Sequence, residues 1–381
     1  MLSQKTANIP PFYVMEVLER AQKLEEQGKS IIHLEIGEPD FPTALHICEA
    51  AKIAICRGDI KYTHSQGLIE LRQAIAKNYF KKFGVDVSPD QIIVTSGTSP
   101  AMLLLFIALI DQGDEVIMSN PHYACYPNFV VAAGGVPDFI YTKEENGFML
   151  QPEELAAHIN LRTKAILINS PSNPTGQVLP GKALKRLAEQ AADVPIISDE
   201  VYQGLVYEGE DHTILEYTDN AFVLNGFSKL YAMTGWRLGY LIAPREHVRT
   251  LQKVQQNLFI STNSIVQYAG IAALEGPQEQ IKEMVDTYNK RRLYLIKRLR
   301  DIGFGIVAEP KGAYYVLADA RKFGTDSLKM SRDILEETGV AIAPGIDFGQ
   351  GAEGYLRFSY ASSIGDIREA MYRLQKYFEK S

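Results

Sequence analysis

Cysteine is scarce in this 381-residue chain: Cys48, Cys56 and Cys125 form an odd set whose spacings fit neither a CxxC pair nor a disulfide framework. A reducing compartment is the natural setting. Long apolar runs are missing too; the longest, Ala101 to Ile110, is about half a membrane span, and no apolar stretch stands behind Met1-Leu2-Ser3-Gln4-Lys5. A cytoplasmic protein without membrane partners is expected. Basic excess is also absent, since 39 Lys and Arg face 46 Asp and Glu for a net charge of −7, which argues against nucleic acid as a partner. The seven histidines show no HExxH and no clustered ligand spacing, so no metal is expected. Internal repeats, low-complexity tracts and long polar linkers do not occur.

What remains is an ordinary globular composition, 46% hydrophobic and 22% charged. The length suits two or three domains, or a large one with an appendage. Short apolar, β-branched segments alternate with helix-period segments, the rhythm of an α/β fold with a mostly parallel sheet covered by helices. The strand candidates are 91–95, 115–119, 136–141, 164–169, 195–199, 221–225 and 237–243. Most are continuously apolar, as doubly covered strands are. Leu68, Leu71, Ile75 and Tyr79 mark an amphipathic surface helix. After about Tyr288 the texture changes. A long charged helix precedes strand candidates at 305–309, 313–318, 340–343 and 355–360, and a last helix aligns Ile367, Met371, Leu374 and Phe378 behind a cap at Ser363. The expected organisation is a large domain, 46–287, and a smaller α+β domain made of 1–45 and 288–381.

Two motif spellings mislead. Gly349-Gln-Gly351-Ala-Glu-Gly354 has the GxGxxG spelling of a dinucleotide fingerprint but runs into a strand rather than opening a helix, so it reads as a flexible loop. Gly176 to Ala183 is nearly a P-loop, yet Ala183 stands where a hydroxyl must hold Mg²⁺.

Four polar punctuations end candidate strands, where ligands bind in open α/β sheets. Thr95-Ser-Gly97-Thr98-Ser99 breaks a strand before an apolar helix, so its amides and hydroxyls suit a phosphate, although plain N-capping is the simpler account of that segment alone. Asn169-Ser-Pro-Ser-Asn173-Pro-Thr-Gly is a proline-stiffened turn that directs Asn173, or mere punctuation. Asp199-Glu-Val-Tyr202 delivers carboxylates and a phenol from a buried strand, which is costly unless they meet a partner. Phe227-Ser228-Lys229 puts a lysine at a strand end; in an apolar pocket it is an amine nucleophile for a carbonyl, otherwise a snorkelling surface side chain. Together they specify a cofactor bearing a phosphate, a carbonyl and a basic nitrogen, which pyridoxal 5′-phosphate (PLP) satisfies.

With these motifs, with Gly235-Trp-Arg237-Leu-Gly-Tyr and with Leu-Arg357-Phe-Ser, the chain resembles the class I aminotransferases of the aspartate aminotransferase fold family, from about Ile9 to the C-terminus. The resemblance implies that Lys229 forms the Schiff base with PLP and moves a proton between the substrate α-carbon and the cofactor. Asp199 would hold the pyridine nitrogen protonated, and Tyr202 and Asn173 would bond the phenolic oxygen. Gly97, Thr98, Ser99, Ser228 and Arg237 would form the phosphate cup, with glycine at 226 where some relatives have a serine. Tyr123 would stack on the pyridine. Arg357 and Asn173, with the backbone of Gly37, would hold the substrate carboxylate, and the N-terminal segment and small domain would close over it. Tyr62 would reach the phosphate of the neighbouring subunit, implying a homodimer. The expected reaction is ping-pong transfer of an amino group between an L-amino acid and a 2-oxo acid, with a carbon–sulfur lyase of the same fold as the alternative. Ser96–Phe106 contains no lysine or arginine, which tilts the expected donors toward neutral or aromatic amino acids.

Overall fold

The computed structural model describes residues 9–380, so the start of the expected N-terminal arm lies outside the described residues. Helix α1 (Tyr13–Glu26) and the short strand β1 (Ile32–His33) precede α2 (Leu45–Arg57) and α3 (Ile69–Phe83). Next come β2 (Ile92–Thr95), α4 (Thr98–Leu109), β3 (Glu115–Asn120), α5 (Tyr126–Ala133), β4 (Val136–Tyr141) and α6 (Pro152–His158). They are followed by β5 (Thr163–Asn169), α7 (Gly181–Ala191), β6 (Ile196–Asp199), β7 (Ala221–Gly226) and β8 (Gly239–Ile242). Helices α8 (Arg245–Leu258), α9 (Ser264–Glu275) and α10 (Glu279–Ile302) lead to β9 (Tyr315–Asp319), α11 (Ser327–Thr338), β10 (Val340–Ala341), β11 (Ala343–Pro344), β12 (Tyr355–Ser359) and α12 (Ile364–Phe378).

The central sheet has seven strands in the order β2-β8-β7-β6-β5-β3-β4. All run parallel except β8, which is antiparallel to both β2 and β7. Successive residues point to opposite faces and both faces are covered, so Ile92 and Val94 join one apolar cluster while Ile93 joins the other. Ile196 and Ile197 divide in the same way. Edge strand β4 departs from the double coverage expected of it: Val136 and Tyr141 are exposed.

A three-stranded antiparallel sheet, β11-β12-β9, carries Arg357 in its middle strand opposite Ala343 and Leu317. Here the sequence reading needs correcting. The strand expected at 305–309 is one isolated bridge, Gly305 to Asp319, because the chain turns away toward Pro310. The segment 340–343 divides at Ile342 between two sheets, its first half pairing in parallel with β1, an element too short to announce itself. The strand expected from 237 begins at Gly239, since Arg237 lies in the left-handed region with φ 57°. Helix α12 is capped as expected, Ser363 Oγ accepting from the amide of Asp366 at 3.1 Å, and buries Ile367, Met371 and Leu374. No described helix is long and apolar enough to cross a membrane.

Candidate active site

The antiparallel β8 leaves β2 and β7 parallel to each other, so the C-terminal ends of β2, β3, β5, β6 and β7 share one edge of the sheet. There a cavity of about 340 Å³ opens between that edge, α1, the 36–38 loop and β12. Every expected site residue except Gly97 and Tyr62 lines it.

Lys229 enters from the loop after β7, and its Nζ donates to the carbonyl of Gly37 at 2.7 Å. The rings of Tyr202 and Tyr314 lie 5.8 and 6.0 Å away. Burial among them pushes the amine down to about 8, a shift the carboxylate of Glu38 partly opposes. Gly37 can be nothing larger, because a Cβ there would stand 1.7 Å from the Tyr315 hydroxyl. That hydroxyl pairs with the Tyr202 hydroxyl at 2.8 Å.

Asp199 ends β6 in full burial, which pushes its carboxyl up to about 6. The Tyr126 hydroxyl donates to Oδ2 at 2.7 Å and the amide of Val201 to Oδ1 at 3.1 Å, both favouring the charged form. Tyr126 is a site residue that sequence reasoning missed. It opens α5 only three positions after Tyr123, so the spacing along one helical turn could have pointed to it.

Arg357 projects from β12 between the rings of Tyr315 and Phe348, at 4.2 and 4.7 Å from their centres. One nitrogen donates to Asn173 Oδ1 at 2.9 Å and another to the carbonyl of Glu35. Its Nε is buried and has no hydrogen-bond partner among the described residues. Asn173 is in turn set by its own amide, which donates to Asn169 Oδ1 at 2.8 Å. The Asn-Pro turn is therefore more than punctuation. Tyr315 and Phe348 were also missed, since a ring's stacking on an arginine of another element leaves no trace in sequence.

Thr98 and Ser99 begin α4 and line the cavity together with Ser228 and Arg237. Gly97 precedes them at φ 100°, and a Cβ there would meet Arg237 Nη2 at 2.6 Å. Gly226 is also tightly packed, with Leu238 O and Gly239 Cα at 3.1 and 3.2 Å from where its Cβ would sit, so a side chain there would press on the neighbouring strand. Tyr123 stands edge-on to Tyr126 and Phe12 at the cavity wall. Tyr62 lies apart, 82% exposed in this single chain.

Compared with known proteins, residues 29–374 match the family described as aminotransferase class I and II. The chain belongs to this aminotransferase family. It is 42% identical over the full length of both chains to a (5-formylfuran-3-yl)methyl phosphate transaminase of Methanocaldococcus jannaschii. Aromatic-amino-acid aminotransferase 2 of Thermococcus litoralis is 37% identical, the match covering 100% of this chain and 98% of the relative. Aspartate aminotransferase from Thermus thermophilus, solved with maleate, superposes with a TM-score of 0.94 at 38% identity and 99% coverage of each chain.

The enzyme is thus a PLP-dependent aminotransferase of fold type I. Its residues fit that cofactor: an amine held near neutrality, a buried carboxylate for a ring nitrogen, and a glycine-opened helix start under an arginine for a phosphate.

Proposed function

We infer that Lys229 carries the covalent attachment and the proton transfer, with Asp199, Tyr202, Asn173, Tyr123, Gly97, Thr98, Ser99, Ser228 and Arg237 holding PLP. When bound, the cofactor withdraws electron density from the substrate α-carbon. The observation that carries this reading is a lysine amine depressed to about 8 in the same buried cavity as an aspartate raised to about 6. Above about pH 8 the amine is mostly neutral and accepts protons, and there the carboxylate keeps its charge and can fix a proton on a ring nitrogen. Arg357 holds the substrate carboxylate, and Asn173 and the Gly37 backbone orient it. Tyr315 and Phe348 pack on the planar guanidinium and restrict its orientation.

The donors are neutral or aromatic L-amino acids. Supporting this, Phe12, Val14, Met15, Met102 and Phe129 line the cavity, and Ser99 is the only exposed polar group at the start of α4. The relative named for aromatic amino acids agrees in direction. The acceptors are 2-oxo acids. Two copies of the chain complete two sites, each Tyr62 reaching its neighbour's phosphate cup. Its exposure, with that of Leu45, Ile53, Ile55 and Ile60 on the same stretch, supports a covered surface. Residues 46–287 form the large domain and 1–45 with 288–381 the small one. In support, the seven-stranded sheet uses only residues 92–242, and the sheets around Arg357 use none of them. Three free cysteines fit a cytoplasmic location.

Absorbance of the holoenzyme, with single amino acids and no oxo acid, tests the reading. Neutral and aromatic donors should convert the visible band to the pyridoxamine form, and Lys229→Ala should abolish turnover. Pyruvate and ammonia accumulating without conversion would establish the lyase instead.

A further inference from the structure

The glycine-rich stretch with the dinucleotide spelling is no loose loop. Residues 345–352 form two short 3₁₀ turns at a junction of three parts of the fold. On one side the amide of Gly351 donates to Asn120 Oδ1 at the end of β3 at 2.8 Å, and the carbonyl of Phe348 accepts from the amide of His122 at 3.0 Å. Gly349 and Gly351 make that contact possible, because a Cβ on either would stand 2.5 or 2.8 Å from Asn120 Oδ1. On the second side the Phe348 ring packs on Arg357.

The third side is Asp347. Its two carboxylate oxygens each accept one amide, Tyr13 N on Oδ1 and Val14 N on Oδ2, both at 3.0 Å. These are the first donors of α1, a helix whose own N-cap, Phe12, supplies no side-chain acceptor. A helix begins with amides that its own backbone cannot satisfy, and a carboxylate there is also favoured by the helix dipole. The cap therefore comes from more than 300 residues away, and it fixes where the helix starts in space. That start matters to the site: Phe12 and Met15 form cavity wall, and Phe12 meets Tyr123 edge-on at 6.3 Å.

We propose that Asp347 is a positioning residue for substrate discrimination: its carboxylate seats the first turn of α1 so that Phe12 and Met15 wall the pocket for the donor's side chain. The 3₁₀ turn that carries Asp347 also carries Phe348, whose ring packs on Arg357. The identity of the favoured donors rests on the proposed function; the seat itself does not.

The test compares wild-type holoenzyme with Asp347→Ala, which loses both acceptors, and Asp347→Asn, which keeps one. Without substrate, hydrogen exchange of the peptide covering residues 12–20 should accelerate in Asp347→Ala and less in Asp347→Asn. KM for phenylalanine should rise roughly tenfold in Asp347→Ala, in keeping with loss of charge-assisted bonds. KM for alanine, kcat and PLP affinity should each stay within about threefold, since the cofactor groups do not touch Asp347. Unchanged exchange and KM would overturn the proposal, as would a parallel loss for both donors together with weakened PLP binding. Should wild-type enzyme reject phenylalanine, the donor reading fails, while the exchange measurement still decides the seat.

Discussion

Lys229 and Asp199 are pulled in opposite directions by the same physical cause. Burial disfavours charge, so the lysine loses its proton more readily, down to about 8, and the aspartate keeps its proton longer, up to about 6. The neutral amine is therefore the major form above about pH 8, and the carboxylate is charged above about pH 6. Incorporation of PLP into the apoenzyme needs both, so its rate should rise between these values and level off above about 8. Following the visible band after mixing at a series of pH values checks this. Tyr126→Phe removes a donor that lowers the aspartate's pKa, so the lower inflection of the profile should move to higher pH while the upper one, set by Lys229, stays. An unmoved lower inflection would mean that Asp199 does not govern it. The identities of these two groups were legible in sequence because Asp199 ends a buried strand and Lys229 follows one by three residues, where a charged side chain is costly. Tyr126, Tyr315 and Phe348 were not, because their roles lie in contacts with other elements of the fold.

At the scale of elements, the turn from β2 into α4 shows how backbone freedom builds a binding site. Gly97 sits at φ 100°, which a side chain rarely tolerates, and it lets Arg237 close on the helix start. Gly97→Ala should therefore be strained by roughly 1–2 kcal/mol in its backbone. It should also push the guanidinium away from the first turn of α4. The expected result is PLP affinity weakened by at least tenfold with a melting temperature of the apoenzyme lowered by only a few degrees. Titration of apoenzyme with PLP against thermal unfolding separates the two effects; equal losses in a Gly97→Ala control lacking Arg237 would discount the steric account. Strands and long helices were readable from period and composition, since both faces of the sheet are buried. The short β1 and the division of 340–343 were not, because two-residue strands carry no pattern and only a partner defines them.

At the scale of the whole molecule stands the proposed pairing of two chains. Complementation tests it. Mixed and refolded together, Lys229→Ala and Tyr62→Ala subunits should form hybrids in which one site has both groups intact. With random pairing, about a quarter of wild-type activity should return where neither variant alone has much. Absence of recovery despite hybrid formation would confine Tyr62 to its own subunit. By itself the sequence determined the fold class, the cofactor and the polar strand ends, because hydrophobic period, turn chemistry and strand-end charge are local properties. Tertiary structure alone decided which strand runs backwards, which rings clamp Arg357 and which carboxylate caps α1. The physical reason is that each is a contact between different elements, from 9 residues apart for Phe348 and Arg357 to 334 for Tyr13 and Asp347, and such contacts are selected by packing and hydrogen-bond satisfaction across the fold rather than by the local pattern of the chain.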